Sequence, residues 1–487
     1  MPSLIQDVLT SQVLIIAIAV IMLAFAATVV ALAQPLRMLT IARNTFVESV
    51  RQPIYFVLIL LSGVFQIFNV WGSAYSMGYT ESGEVSGDNK LLLDIGMATV
   101  FVCGTLLAAF VATAVISREI DNKTVLTVVS KPVSRVAVVI GKFVGVSGAI
   151  LIAGLTMLLF LMLGLRHGVL STAADEVDGP VVLFTLIAAG LSIGIAVWCN
   201  FFYGWSFTQT SIMLMCPLML AAYLAVLVVS KKWTFQHIHT DFMPQITIAG
   251  LSVLMALLVL TAIATAASAR LGQVMTIVVC SGVFVFGLLS NYFVGQRAFD
   301  NHAIARIEKA EPERSNQEWL ASTGDEYRLT FAFEPTVKIE PGMPCYFSPN
   351  PNGFPLLTPA FDPPDRTKHD FSKPLSALDS GLQPALVFAS YSARNAVVRH
   401  VGPDAPLLRD KPSRDDYVFI TPTRVNVGAV AAWGVIPNAQ FFWLVDAVSQ
   451  NQPVPFSYLR LAALYAVIQI GIFLSFAVVL FQTREVG

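Results

Sequence analysis

Charge is scarce in this 487-residue chain, where Asp, Glu, Lys and Arg together make up 13%, against roughly a quarter in soluble chains. Hydrophobic residues fill 55% and mean hydropathy is +0.69, which excludes an ordinary soluble globule and defines an integral membrane protein. With a net charge of −1 and no basic tail, there is no electrostatic ground for a nucleic-acid partner. Cysteine is sparse too. Cys103, Cys199, Cys216 and Cys280 lie inside apolar runs and Cys345 stands alone, so no disulfide or zinc framework is expected. No G-x-x-x-x-G-K-[ST] phosphate loop occurs, so the chain is not expected to be an enzyme or to carry a cofactor of its own. Between their ends the apolar runs hold no ionisable residue, Asp94, Lys142, Arg270 and Arg460 falling near their limits. A proton-coupled carrier keeps such groups at mid-membrane, and their absence argues against one.

What is present is a series of apolar runs. About 20 apolar residues are needed for a helix to cross roughly 30 Å of hydrocarbon. Nine crossings are predicted, over 11–33, 53–71, 94–117, 136–165, 180–201, 209–230, 246–268, 276–294 and 458–482. The first run ends in Ala31-Leu32-Ala33, a signal-peptidase-like ending, but the first 36 residues lack Lys and Arg, and it is expected to stay as an anchor. Arg37, Arg43, Arg51, Arg118, Lys123, Lys131, Arg135, Lys142, Arg270 and Arg484 fall on one side. Only Lys90, Arg166, Lys231 and Lys232 occupy the opposite short loops. The basic side is read as cytoplasmic, which puts the N-terminus and residues 295–457 outside and the C-terminus inside.

Two charged segments interrupt the apolar pattern. In Leu36–Pro53, at 100° per residue, Leu39, Ala42, Phe46 and Val50 share one face, while Arg37, Thr40, Asn44, Glu48 and Arg51 share the other. This reads as a helix in the interface, its basic groups toward headgroups, with Arg43 beside them and Pro53 forcing the turn into the membrane. The second segment, SREIDNKTVLTVVSKPVSR (Ser117–Arg135), leaves one span and enters the next. Lys131-Pro132 breaks any helix there. Its short apolar residues Val125, Leu126, Val128 and Val129 are too few to fold alone. From residue chemistry alone it is either an ordinary charged loop or a docking hairpin. Lys142, one turn into the next span, is expected to snorkel to the surface.

The stretch SREIDNKTVLTVVSKPVSRVAVVIGKFVG resembles the characteristic segment of ABC transporter permeases of the type 2 class. The matching positions are Arg118, Glu119, Thr124, Ser130, Lys131, Pro132, Ser134, Arg135, Gly141 and Lys142, with Lys123 where the family usually has Gly. TIARNTFVESVRQP, SARLGQVMTIVVCSGVFVFGLLS and the closing LFQTREV resemble the branch linked to copper-enzyme maturation and gliding. The resemblance covers about 36–294 and 434–487. It implies a permease subunit of an exporter in the cell inner membrane, working as a homodimer or with a related permease, together with cytoplasmic ABC ATPase subunits. It further implies that Arg118, Glu119, Thr124, Lys131, Pro132 and Arg135 form the ATPase-coupling contact, flanked by the elbow residues Arg37, Arg43, Phe46, Glu48 and Arg51. The alternative is a membrane-anchored scaffold whose outer domain binds an envelope partner without transport.

Residues 295–457 hold 19 of the 26 prolines. EYRLTFAFEP, ALVFASYSA and DDYVFITPT read as strands bounded by Pro, Gly and Asp. The expected architecture is therefore an all-α polytopic membrane protein of about nine transmembrane helices with an inserted β-containing extracytoplasmic domain. Its parts are an extra first helix (1–33), the elbow (34–52), a bundle (53–294) bearing the hairpin 117–135, the insert (295–457), and a last helix with a short tail (458–487). Asn69, Asn200, Tyr203, Thr208 and Gln209 are candidates for lining a path or for bonding between helices. His237, His239 and Asp241 are too few for a metal site, and none is expected. Trp433, Phe441, Phe442 and Trp443 are expected in a headgroup belt at the outer interface.

Overall fold

The computed structural model describes residues 35–73, 84–121, 134–170, 176–312, 322–354, 356–359, 361–362, 364, 371, 383–405, 407–408, 412–449 and 453–482, with 35–36, 84–88 and 116–121 by backbone alone. The chain is a polytopic membrane protein with an inserted β-sheet domain. Eight described helices are long and apolar enough to cross a membrane, and each overlaps a predicted span. The predicted span 11–33 lies outside the described residues.

The described residues form two compact units. The helical unit, within Ala19–Leu288 and Pro437–Gly487, begins with α1 (Pro35–Val50), α2 (Pro53–Gly72), α3 (Glu84–Asp121) and α4 (Arg135–His167). These are followed by α5 (Gly179–Tyr203), α6 (Phe207–Val228), α7 (Pro244–Ser268) and α8 (Gln273–Ser290). Local chemistry sets several ends. Pro53, Pro180 and Pro244 occupy first turns, where the missing N–H has no helical partner to lose. Gly204 closes α5 in the left-handed region at φ 67°. Pro217 lies inside α6, a position that membrane helices tolerate.

α4 is the most buried span and α8 the least. α4 packs against α1, α2, α3, α5, α6 and α7. A Cβ on Gly104 of α3 would strike Leu257 of α7, and one on Gly154 of α4 would strike Leu254, so α7 lays a leucine into each glycine gap. Without a hydrophobic driving force between helices in lipid, such close packing carries much of the association.

The second unit takes in Leu289–Ile436. Its strands are β1 (Phe299–Asp300), β2 (Ala305–Pro312), β3 (Glu326–Phe331), β4 (Tyr346–Ser348), β5 (Ala385–Ser392), β6 (Asn395–Val401), β7 (Tyr417–Phe419) and β8 (Arg424–Val425). Six run in the order β4-β7-β2-β3-β6-β5, and the described neighbours are antiparallel. The chain just before β4 pairs with the free side of β5: Cys345 N–H donates to Leu386 O at 2.9 Å and Phe388 N–H to Met343 O at 2.9 Å. The sheet thereby curls round on itself, which protects both edges. Leu329, Phe331, Phe347, Phe388 and Val398 fill its core. β1 pairs with β8, joining the start of the unit to its end. Helix α9 (Val427–Val435) follows.

Pro437 onward belongs to the helical unit. After a single 3₁₀ turn at Ala439–Phe442 come α10 (Val445–Ser449) and α11 (Phe456–Gln482). The four aromatics of the expected belt are thus divided. Phe442 and Val445 are buried in the helical core, where Phe101 meets both Phe284 and Trp443. Phe441 packs on Tyr458 and Tyr465 of α11. Trp433 instead serves the other unit, meeting Phe299 edge-on and donating from Nε1 to Asn291 Oδ1 at 3.2 Å.

Candidate coupling face

One end of the helical unit gathers the elbow, the start of α4 and the end of α11. In α1 the buried positions are Ala42, Thr45, Ser49 and Val50, while Phe46 is half-buried and Arg37, Arg43 and Glu48 are exposed. Leu39, read on the same apolar face as Ala42, Phe46 and Val50, is exposed. The contact face is therefore turned toward small hydroxyl residues, and the reason lies on α4. A Cβ at Gly141 would sit 3.0 Å from both the Met38 carbonyl oxygen and Ile41 Cβ. One at Gly145 would run into the Ala42 carbonyl and the Thr45 side chain. Small residues on both helices bring the backbones together, and the Ser49 hydroxyl is satisfied by donating to Thr45 O at 2.7 Å. Thr45 and Ser49 were missed because a hydrophobicity pattern does not score them. Their i, i+4 spacing, which puts both on one face of the helix, was the available signal.

At the start of α4, Ser134 Oγ accepts from Ala137 N–H at 3.2 Å, an N-cap. Arg135 Nη1 donates to Gln482 O at 3.0 Å, and Arg270 Nε donates to Leu480 O at 3.1 Å. Two guanidinium groups thus serve the last turn of α11, where carbonyls lack helical partners and the helix dipole is negative. Lys142 does not snorkel outward. It is buried, and Nζ donates to Val115 O at 3.1 Å, on the α3 backbone.

Arg51, which follows α1, donates from Nε to Gln209 Oε1 at 2.8 Å, and its carbonyl accepts from Thr208 Oγ1 at 3.0 Å. The elbow is stitched in this way to the start of α6. Asn200 Nδ2 donates to Trp205 O at 2.6 Å and holds the α5–α6 turn. Asn69 Nδ2 donates to Leu92 O at 2.9 Å, between α2 and α3. Of the five polar path candidates, four thus make local or interhelical bonds, and Tyr203 is exposed. Gln66, absent from the sequence reading, joins the same pair of helices through Gly96 O at 2.9 Å.

Of the residues assigned to coupling, Arg118 and Glu119 fall in the last turns of α3, where the backbone alone is described. Thr124, Lys131 and Pro132 lie outside the described residues. Arg135 is the one whose side chain is placed.

At the opposite ends of α4 and α5, Arg166 lies 2.6 Å from Asp178 Oδ2 and 2.9 Å from Asp241 Oδ2. Asp178 is fully buried and also caps α5, accepting from Val181 N–H at 3.2 Å. Asp241, the acid beside His237 and His239, is thus committed to a cation. Among the described residues no three His, Cys, Asp or Glu gather as a metal site.

Residues 39–198, about a third of the chain, match a family model described as ABC-2 family transporter protein. The matched segment runs from the elbow through both glycine contacts of α4 to the end of α5, and supports an ABC-2 type permease in a multi-pass membrane protein. No curated protein and no solved structure matches the chain.

Proposed function

We propose that the chain is the membrane-spanning permease subunit of an ABC-type exporter in the cell inner membrane. It forms the translocation path and takes its work from separate cytoplasmic ATPase subunits, as a dimer with itself or with a related permease. The observation that carries this reading is the family match over 39–198, within which α1 is held against α4 at Gly141 and Gly145. A push on the hairpin 117–135, which leads directly into α4, would reach α1 through that contact and α11 through Arg135. On this reading the hairpin and the C-terminus are cytoplasmic and the insert is outside.

Arg135 is a poor probe of ATPase contact, because its guanidinium already serves α11. The test is Arg118→Glu combined with Lys131→Glu, read by co-purification of an ATP-binding subunit from the native membrane. The expected result is loss of that subunit, with membrane insertion unchanged. Full retention, with ATP hydrolysis still stimulated, would contradict the coupling role. If the unaltered chain retains no ATP-binding subunit at all, the scaffold reading takes its place.

A further inference from the structure

A cleft of about 290 Å³ opens between the last turns of α2 and α4 and the first turns of α5. Its wall is mostly hydrocarbon, with Ile67 and Val70 from α2, Phe160 and Leu163 from α4 and Val181 and Leu186 from α5, and Gln66 and Thr185 add two polar side chains. The three helices are each long and apolar enough to span the bilayer. Gly164 lies on its floor, and a Cβ there would make ordinary contacts, 3.6 Å from Val70 Cγ2 and 3.8 Å from Gln66 O. Ile67, Trp71 and Leu186 line the cleft and are also exposed on the outer faces of α2 and α5. The cleft is therefore an indentation of the surface that the bilayer covers.

We propose that one acyl chain of a bilayer phospholipid occupies this cleft as a resident ligand. Continuity with the lipid-facing surface identifies the occupant, because the medium that reaches Ile67 and Leu186 is hydrocarbon. Water would find polar partners only at Gln66, Thr185 and His167, too few to fill the apolar length of the wall. Left empty, the wall would forfeit the dispersion contacts that packing otherwise supplies. The volume of about 290 Å³ lies just under the about 300–1,000 Å³ of small-molecule sites, which suits a single flexible chain better than a bulky polycyclic compound. His167 lines the same cleft where α4 ends, at the level where the spans give way to headgroups. The inference requires only that α2, α4 and α5 cross the bilayer, and it stands or falls independently of the coupling to an ATPase.

The test uses the full chain in phosphatidylcholine vesicles containing a small fraction of phospholipid with a diazirine in mid-chain, photolysed and mapped by peptide mass spectrometry. Label at Ile67, Val70 and Val181 is expected to exceed that at Leu191 and Ile195, which are exposed on the open face of α5, by about fivefold, a preference of the size that one modest contact site confers. Gly164→Leu, which fills the floor, is expected to remove that excess and leave Leu191 and Ile195 unchanged. Val182→Trp, at the rim, is the second variant should the first fail to fold. Labelling of the cleft no greater than that of Leu191 and Ile195, or an excess that survives both variants, would overturn the proposal. So would cross-links showing the cleft filled by residues 74–83 or by a second copy of the chain.

Discussion

Gly145 leaves no room for a side chain. Ala42 and Thr45 of α1 occupy the space a Cβ would need, so Gly145→Leu is expected to destabilise the helical unit by about 1–3 kcal/mol, the range for overpacking, seen as a lowered melting temperature in detergent. Gly190 has no atom within 4 Å of an added Cβ, and Gly190→Leu is expected to leave melting unchanged. Equal effects of the two would contradict the elbow contact. In the insert, His400 on β6 is fully buried. Burial holds its imidazole below the usual histidine range, while the Ala405 backbone and the carboxylates of Asp325 and Asp404 pull the other way. Since the folded value lies below the unfolded one of about 6.5, the unfolded chain binds the extra proton first, and stability falls as pH drops through that region. Hydrogen exchange across 395–401 in the full chain, corrected for intrinsic rates, is expected to speed up between about pH 7 and pH 5.5. His400→Leu should remove that dependence. Identical protection of the unaltered chain at both pH values would refute the reading.

Eight of the nine predicted spans have described counterparts, because a hydrocarbon crossing demands a long apolar run and little else imitates one. The strands of the insert were legible for a similar reason, in runs such as EYRLTF and ALVFASYS bounded by turn residues. The face of α1 was legible only in part, through Ala42, Phe46 and Val50. Thr45 is buried because α4 offers Gly145 opposite it, Ser49 is buried one turn further on, and a pattern read along one helix carries no information about its neighbour. The inward packing around Ala439–Ser449 was not legible for a related reason. Phe441, Phe442 and Trp443 suit a headgroup belt equally well, and only the neighbouring Phe101, Phe284 and Tyr465 decide that they pack inward. Phe442 is buried to 2% exposure, so Phe442→Ala is expected to cost about 3–5 kcal/mol, measured as loss of thermal stability of the helical unit. A change of less than about 1 kcal/mol would place that segment outside the core.

On the proposed topology the five candidate crossings α4 through α8 lie between the hairpin 117–135 and the insert, and an odd number would put the two on opposite sides of the membrane. This parity does not depend on the first predicted span. The proposed coupling needs it, because a hairpin that meets an ATPase must lie in the cytosol, and Arg135 and Arg270 would then hold the end of α11 on that same side. Single cysteines at Thr127 and Ser392, introduced after the five native cysteines are replaced, test it directly with a membrane-impermeant maleimide in intact cells and in inverted vesicles. The account predicts that Ser392→Cys reacts from outside in intact cells, and that Thr127→Cys reacts only in inverted vesicles. Reaction of Thr127→Cys from outside, or of both positions from one side, would contradict it.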